Sequence, residues 1–280
     1  MQGSSLRALA RLLMYAALTL PLMPVQAGFV LFGSRLARRL PVVYHGACCR
    51  ILGITRRIEG EISSARPTLF VANHASYLDV TVLSASIETS FIAKREVARW
   101  PLFGWLARLQ RTVFVDRRVS RVASERDEVA RRLAQGDNLV LFAEGTSSDG
   151  VFIRPFKSSL FAVAEREFAG RQLVVQPVTL AYTRLDGMPI GRAWRPLFAW
   201  YGDMDMLPHM FRLLGLGRIE ARLIFHSPVM LAAFASRKSL AEHCERTIRS
   251  GLTAANAGRI TSPIAASAGS DSLALAGGAS

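Results

Sequence analysis

Short apolar runs alternate with stretches of helical periodicity along most of this chain, and this alternation most constrains its fold. The runs have the length of buried strands and lie at 68–72, 89–93, 112–115, 138–143 and 172–180. The helical stretches between them lie at 77–86, 95–109, 119–135 and 158–168, and a further strand and a closing helix are predicted at 219–226 and 237–254. The pattern predicts an α/β fold with a central mixed, largely parallel sheet flanked by helices. A functional site is expected at the carboxyl ends of the strands.

A long apolar segment precedes this region. Residues 12–34 form 23 positions without a formal charge, which is long enough to span a bilayer. Pro21 and Pro24 lie in the middle of the segment, where they are expected to kink or break a helix. The sequence therefore leaves open whether the segment spans a membrane once or forms a proline-broken hairpin in one leaflet.

The flanks of this segment bear on whether it is retained or cleaved. Arg7, Arg11 and the small-residue segment at 25–27 imitate a secretory signal with its cleavage site. Residues 35–57 contain six arginines and no acidic residue, and such a flank is expected to stay cytoplasmic. We therefore predict a retained membrane-associated segment over 1–54, hydrophobic at 12–34 and Arg-rich at 35–57. It would place the protein at the inner (cytoplasmic) membrane, with its active site on the cytoplasmic side.

The charge and composition predict an anionic partner. The net charge is +14 and 50% of the residues are hydrophobic, which suits an anionic membrane surface better than nucleic acid, for which no motif is found. Three cysteines, two of them adjacent, and five scattered histidines give neither a disulfide framework nor zinc-ligand spacing, so no metal site is predicted. The Ala/Ser/Gly-rich end predicts a disordered tail over 256–280.

The segment Asn73-His74-Ala75-Ser76-Tyr77-Leu78-Asp79 follows the apolar run at 68–72 and predicts a general base. Histidine has the unperturbed pKa nearest neutrality, so His74 can accept a proton from a hydroxyl at working pH. A carboxylate at Asp79 can fix the ring tautomer and stabilise the imidazolium. Ser76 and Asp79 have the spacing of a capping box, which would put Asp79 in the first turn of a helix. Taken alone, the motif is more often a helix cap beside an ordinary loop histidine.

Two further polar clusters also follow predicted strands. Arg117, at the end of the run 112–115, is placed for bidentate contact with a phosphate. The tripeptide Glu144-Gly145-Thr146 follows the run 138–143, where glycine allows a tight turn near a ligand and threonine offers a hydroxyl. Arg154 and Lys157 add two cations downstream. His74 and Glu144 are predicted to face the same edge of the sheet.

These clusters, in this order, resemble the motifs of the 1-acylglycerol-3-phosphate O-acyltransferase family of glycerolipid acyltransferases. The resemblance covers about residues 55–230. The first motif, N-H-x-S-x-x-D, is matched at Asn73, His74, Ser76 and Asp79, and the second, G-x-I-F-I-D-R, is matched at Val113 to Arg117. The third motif, F-P-E-G-T-R, is matched at Phe142, Glu144, Gly145 and Thr146. The fourth motif, a strand containing proline, is matched at Val175 to Val178. Three positions depart from the motifs: Arg111 replaces a glycine, Ala143 a proline and Ser147 an arginine.

The resemblance implies a membrane-associated O-acyltransferase whose domain occupies 55–255. His74 would deprotonate the free hydroxyl of a lysolipid while Asp79 orients the ring, and the alkoxide would attack the thioester of acyl-CoA or acyl carrier protein. That thioester is the co-substrate, and no cofactor is implied. Backbone N–H groups at the helix start or around Gly145 would stabilise the oxyanion. The residues expected to bind the substrate are Asn73, Ser76, Arg117, Glu144, Gly145, Thr146 and Lys157.

The acceptor is the open point, because Ser147 removes a possible phosphate contact. The first expectation is conversion of 1-acyl-glycerol-3-phosphate to phosphatidic acid in phospholipid biosynthesis. The alternative is acylation of lyso-ornithine lipid, whose headgroup carries a carboxylate and an amine. A lipase or thioesterase is an alternative of a different class, and the absence of a G-x-S-x-G elbow from the sequence opposes it. The segment Trp200-Tyr201-Gly202-Asp203-Met204 has no mechanistic interpretation from the sequence.

Overall fold

The computed structural model describes residues 3–115 and 122–259. Within them the α-helices are α1 (Ser5–Leu31), α2 (Leu36–Leu52), α3 (Leu78–Ser84), α4 (Phe103–Leu109), α5 (Val122–Ala134), α6 (Met206–Leu214) and α7 (Arg237–Asn256). The strands are β1 (Ile54–Glu59), β2 (Thr68–Ala72), β3 (Ser90–Lys94), β4 (Val113–Val115), β5 (Leu139–Phe142), β6 (Glu167–Phe168), β7 (Arg171–Gln172), β8 (Val174–Leu185), β9 (Met188–Pro189), β10 (Ile219–Phe225) and β11 (Val229–Met230).

One mixed sheet organises the described residues, in the strand order β1-β10-β8-β2-β5-β3-β4. The pair β8–β10 is antiparallel, and the other neighbours along this path are parallel. The short strands β9 and β11 pair antiparallel with β8. The predicted mixed, largely parallel sheet is therefore confirmed.

Strand β2 lies in the middle of the sheet and is buried along its whole length. Phe70 and Ala72 pack in a cluster with α3 and α6, whereas Leu69 and Val71 pack in a second cluster with α5 and α7. Because helices cover both faces, the strand needs no polar side, and this explains its continuous apolar sequence.

The register places the candidate residues at one edge. Ala72 at the end of β2 pairs with Phe142 at the end of β5 and with Val178 in β8. His74 and Glu144 each follow two positions beyond the pair Ala72–Phe142, so they leave the sheet side by side. The prediction that they share an edge is confirmed.

Helices α1 and α2 form a hairpin against the α/β domain. Helix α1 continues without a break from Ser5 to Leu31, through both Pro21 and Pro24, so of the expected kink or break at the prolines the break is wrong. Side-chain contacts fix both ends of the helix: the Arg11 guanidinium donates to the carbonyls of Leu214 and Leu216 at 3.0 and 2.7 Å, and Gln26 donates to those of Ala37 and Leu109. In length and composition α1 could also cross a bilayer.

Two predicted helices differ from the structure. The stretch 95–109 divides into a 3₁₀ helix, Arg95–Arg99, and α4, because Pro101 has no backbone N–H and Leu102 adopts a positive φ of 60°. The stretch 158–168 is a 3₁₀ helix, Ser158–Glu165, followed by β6. Ala169 and Gly170, both at positive φ, then turn the chain into β7.

Strand β8 is longer than the predicted run 172–180, and the predictions omitted β1 and α6. The start of the predicted helix 119–135 and residues 260–280 of the predicted tail lie outside the described residues.

Candidate active site

His74 and Asp79 form a hydrogen-bonded pair at the carboxyl end of β2. His74 Nδ1 lies 2.9 Å from Asp79 Oδ2, and Asp79 is fully buried whereas the His74 side chain is 22% exposed. The ring therefore offers Nε2 to the cavity that it lines. A histidine held in this way through Nδ1 can accept a proton at Nε2, while the carboxylate stabilises the imidazolium.

The Asp79 carboxylate is held by four donors. Oδ2 also accepts from the backbone N–H groups of Ala75 and Ser76 at 2.7 and 2.8 Å, and Oδ1 accepts from the Tyr182 hydroxyl at 2.8 Å. Burial, with the nearby Asp79 charge, raises the pKa of Tyr182 well above its usual value, so this hydroxyl remains a donor. Asp79 lies in the first turn of α3, as predicted. One of the two hydrogen bonds of the predicted capping box forms, because the Ser76 N–H donates to Asp79 Oδ2. The other does not form, because Ser76 Oγ accepts from the Leu78 N–H and not from the Asp79 N–H.

The backbone of His74 is fixed by the loop that follows β5. Its N–H donates to Glu144 Oε1 at 2.8 Å, and its carbonyl accepts from the Ser148 N–H at 2.8 Å. The His74 ring stacks on Phe142, with 4.0 Å between ring centroids and 17° between planes. The imidazole is thus oriented by the Asp79 carboxylate, by the hydrogen bonds to the His74 backbone and by the Phe142 ring.

Three residues predicted to bind the substrate are directed at the protein itself. Glu144 is buried, and its other oxygen accepts from the Arg154 N–H at 2.8 Å. Burial raises the pKa of Glu144 to about 7, and the hydrogen bonds from the two backbone N–H groups oppose that rise. Asn73 donates to and accepts from the backbone of Leu180, both at 2.8 Å, and Ser76 is buried at the start of α3. These contacts position the His74 turn and give the three side chains no place in the cavity wall.

Gly145, Thr146 and Lys157 do line the cavity, as the substrate-binding prediction requires. Gly145 has a positive φ of 69°, and a Cβ there would lie 3.2 Å from Lys157 Nζ, so glycine lets the ammonium approach the loop. The Gly145 N–H donates to the Phe142 carbonyl at 3.0 Å, which engages one of the donors expected for the oxyanion. Arg117 lies outside the described residues, and its role stays a prediction.

The departure at Arg111 has a structural explanation. This residue has φ of 62°, the left-handed region in which glycine costs least, and its guanidinium donates to Asp137 at 2.7 Å. Arg38 and Arg132 contact the same buried carboxylate at 2.8 and 2.6 Å. The ion pairs hold the strained backbone, and they also show that Arg38, in the Arg-rich flank, is engaged within the protein.

The cavity next to His74 has a volume of about 1190 Å³ and extends between the α/β domain and the hairpin of α1 and α2. Its wall is mostly aliphatic and aromatic, which suits an acyl chain. The charged side chains in the described part of the wall are Lys94, Glu96 and Lys157, and its histidines are His45 and His74. No cluster of three metal-ligating side chains was found among the described residues.

Sequence reasoning missed two groups of site residues. Tyr182 and Phe142 contact the catalytic pair. Phe142 matches the third motif, which does not indicate a contact with the His74 ring, and a tyrosine near the end of a buried strand carries no signal of such a role. The segment Trp200–Met204 has no mechanistic interpretation from the sequence, and the structure places Trp200 in the cavity wall together with Trp100.

Comparison with known proteins agrees with the motifs. A protein-family model described as Acyltransferase matches residues 54–181. The lyso-ornithine lipid O-acyltransferase of Brucella abortus is 44% identical over 247 residues, covering 87% of this chain and 92% of that protein. The 1-acyl-sn-glycerol-3-phosphate acyltransferase of Neisseria meningitidis is 31% identical over 182 residues, covering 65% and 68%.

A solved structure shares the fold. The crystal structure of the 1-acyl-sn-glycerophosphate acyltransferase of Thermotoga maritima superposes with a TM-score of 0.60 and 23% identity, covering 91% of this chain and 99% of that one. The motifs, the family model and relatives that match nearly end to end agree, and they set aside the lipase and thioesterase alternatives. This chain belongs to the acyltransferase family and is an acyltransferase.

Proposed function

We propose that this acyltransferase moves an acyl group from an acyl thioester to the free hydroxyl of lyso-ornithine lipid at a membrane surface. The identity of the acceptor is inferred from the similarity of this chain to relatives that are named lyso-ornithine lipid O-acyltransferases. Those of Brucella abortus and Rhizobium meliloti are 44% and 39% identical over 87% and 84% of this chain. The Neisseria meningitidis relative, named for 1-acyl-sn-glycerol-3-phosphate, is 31% identical over 65%.

The charges of the cavity wall suit this acceptor. The ornithine headgroup carries both a carboxylate and an ammonium group, and the described wall offers two cations, Lys94 and Lys157, and one anion, Glu96. Ser147 stands where the family motif has arginine, so this position supplies no guanidinium for a phosphate. Lysophosphatidic acid, the first expectation from the motifs, is the second candidate, and the same two lysines support it.

The mechanism follows from the geometry of the pair. His74 Nε2 takes the proton from the acceptor hydroxyl while Asp79 holds Nδ1. The hydroxyl oxygen forms a bond to the thioester carbonyl carbon, and the tetrahedral intermediate expels the thiolate, which receives the proton from the imidazolium. We assign the oxyanion contact to Thr146, which lines the cavity, because the Gly145 N–H is engaged within its own turn.

We further propose an interfacial position at the inner (cytoplasmic) membrane, with the active site on the cytoplasmic side. Helix α1 packs one side on the domain and exposes Leu9 and Leu13 on the other, while Trp105 of α4 is 64% exposed. Because Arg11 and Gln26 fix the apolar helix α1 to the domain and to the end of α4, the hairpin of α1 and α2 supports a position in one leaflet more than a separate span across the bilayer. The acyl donor, acyl-CoA or acyl carrier protein, would then reach the site from the cytoplasm.

The test is a competition between acceptors. The detergent-purified full chain is incubated with acyl-CoA or acyl carrier protein thioester and equal amounts of lyso-ornithine lipid and lysophosphatidic acid. Mass spectrometry then quantifies the diacyl products. Ornithine lipid as the dominant product is the expected result, and the variant His74→Ala should form either product at least about 100-fold more slowly. Phosphatidic acid as the dominant product would overturn the proposed acceptor in favour of the second candidate.

A further inference from the structure

The segment Trp200–Met204 crosses the cavity at its His74 end. The Trp200 backbone N–H donates to the carbonyl of Ala75, next to His74, at 2.8 Å. The Trp200 carbonyl accepts from the Ser147 hydroxyl at 2.5 Å. Both backbone polar groups of Trp200 are therefore bound to the two loops that carry the first and third motifs.

The side chains of this segment form an aromatic wall. The Trp200 indole lies edge-on to Trp100, with 5.6 Å between ring centroids, and 6.2 Å from the ring of Tyr77, and its N–H donates to the Met204 carbonyl at 2.8 Å. Trp100, Trp200 and Tyr201 all line the cavity. Since Trp200 contacts the residue that follows His74, this wall faces the place where the acceptor hydroxyl and its headgroup must lie.

The chemistry of the wall favours an ammonium group over a phosphate. Aromatic faces attract organic cations, and Glu96, in the 3₁₀ helix Arg95–Arg99 that directly precedes Trp100, adds a carboxylate to the lining of the same cavity. The aromatic rings and Glu96 themselves offer a phosphate dianion no compensating charge. The phosphate would instead depend on a cation from the loop that follows β5.

Lys157 supplies one such cation, and the residue at position 147 decides whether the loop adds a second. An arginine at this position, as in the family motif, presents five N–H donors on a long side chain. Serine has a single hydroxyl proton, and in this chain that proton is donated to the Trp200 carbonyl. The position therefore holds the aromatic wall in place and contributes no positive charge to an acceptor.

We propose that Ser147 determines acceptor specificity, because its hydrogen bond holds Trp200 across the headgroup end of the cavity. This arrangement selects a lysolipid with an amino-acid headgroup over one with a phosphate monoester. The inference rests on the proposed function. It assigns to Ser147 and Trp200 a positioning role and leaves the proton transfer to His74.

The test compares Ser147→Ala, Ser147→Thr and Ser147→Arg in the full chain, with kcat and KM measured for lyso-ornithine lipid and for lysophosphatidic acid. Ser147→Ala should raise the KM for lyso-ornithine lipid about fivefold, the typical loss for one hydrogen bond, with little change in kcat. Ser147→Thr keeps the hydroxyl and should restore the KM. Ser147→Arg should shift the ratio of kcat/KM about tenfold or more toward lysophosphatidic acid.

Thr253→Ala is the matched control, because Thr253 also donates a hydroxyl to a backbone carbonyl, that of Arg249, on an exposed face of α7 away from the cavity. It should leave the acceptor ratio unchanged. Ser147 variants that keep the wild-type ratio, or that lower kcat equally for both acceptors with unchanged KM, would overturn the inference. Failure of the wild-type chain to form ornithine lipid would instead overturn the proposed function.

Discussion

The His74 turn and the Trp200 segment lie side by side at one end of the cavity and are held in similar ways, yet they differ in how far apart their partners lie in the sequence. The decisive contact of the turn, from His74 to Asp79, joins residues five positions apart. Trp200 is held by Ser147, which lies 53 positions before it, and by Ala75, which is more distant still in the sequence. The proton-transfer pair is thus built into one short segment, whereas the acceptor end of the cavity depends on tertiary contacts.

The two regions also differ in burial. Asp79 and its donor Tyr182 are buried, so the hydrogen bonds that fix the general base are shielded from water. The Trp200 indole bond to Met204 is exposed, and Ser147 is partly buried. Shielded contacts resist change, while partly exposed ones can be replaced at low cost. The comparison therefore predicts that substitutions in the turn abolish chemistry, and that substitutions around Trp200 change which acceptor is used.

The largest effect should come from His74→Ala. Loss of the general base should lower kcat by between about 10² and 10⁴-fold, because proton transfer by a positioned side chain contributes that much. The protein should still fold, since the backbone contacts of His74 with Glu144 and Ser148 do not need its ring. Steady-state acyl transfer measures kcat, and thermal unfolding in detergent measures stability. The control is His243→Ala, because His243 is a partly buried histidine on α7. Normal turnover by a folded His74→Ala enzyme would exclude His74 as the base.

The same difference in sequence separation explains how much could be predicted. The strand-to-helix pattern predicted the mixed sheet, and the short spacing of His74 and Asp79 predicted their contact, because both depend on local sequence. The path of α1 through Pro21 and Pro24 was not predictable, because contacts such as those of Arg11 with the end of α6 fix the helix to the domain. Tyr182 reaches Asp79 only through the register of β8 beside β2, which no sequence pattern encodes.

Glu144 illustrates the same limit for charge. Its place in the third motif predicted contact with the substrate, but only the fold shows that both of its oxygens accept backbone N–H groups in a buried position. A sequence cannot indicate that burial raises the pKa of this carboxyl to about 7.

The next largest effect should be on stability, and Glu144→Gln should reveal it. A carboxyl whose pKa is raised from 4.5 to about 7 binds its proton more tightly in the folded state, so stability present at low pH is lost as pH rises through this window. Relative to Glu144→Gln, the free energy of unfolding of the wild type should fall by about 3 kcal/mol between pH 4.5 and pH 7. Chemical unfolding in detergent at several pH values measures this difference.

Glu245→Gln is the matched control, because Glu245 also accepts a backbone N–H, that of Phe156, from a more exposed position on α7. It should keep the pH dependence of the wild type. If the Glu144→Gln and wild-type curves run parallel from pH 4.5 to pH 7, the Glu144 carboxyl does not titrate in that window, and its role in bracing the His74 turn is independent of pH.

The smallest effect, and the finest test of the comparison, is Tyr182→Phe. This change removes one donor from the Asp79 carboxylate and leaves the His74 contact in place, so kcat should fall about tenfold, the cost of one hydrogen bond to a charged group. The KM for the acceptor should not change, because Tyr182 is buried behind Asp79 and is absent from the described cavity wall. Thr179→Val controls for lost stability, since it removes a buried hydroxyl from the same strand, one that contacts His226. A raised KM for the acceptor with unchanged kcat would mean that Tyr182 acts on acceptor binding, and it would contradict the division between the two regions. A loss of kcat with unchanged KM would mean that the residues that support proton transfer extend from the His74 turn into β8.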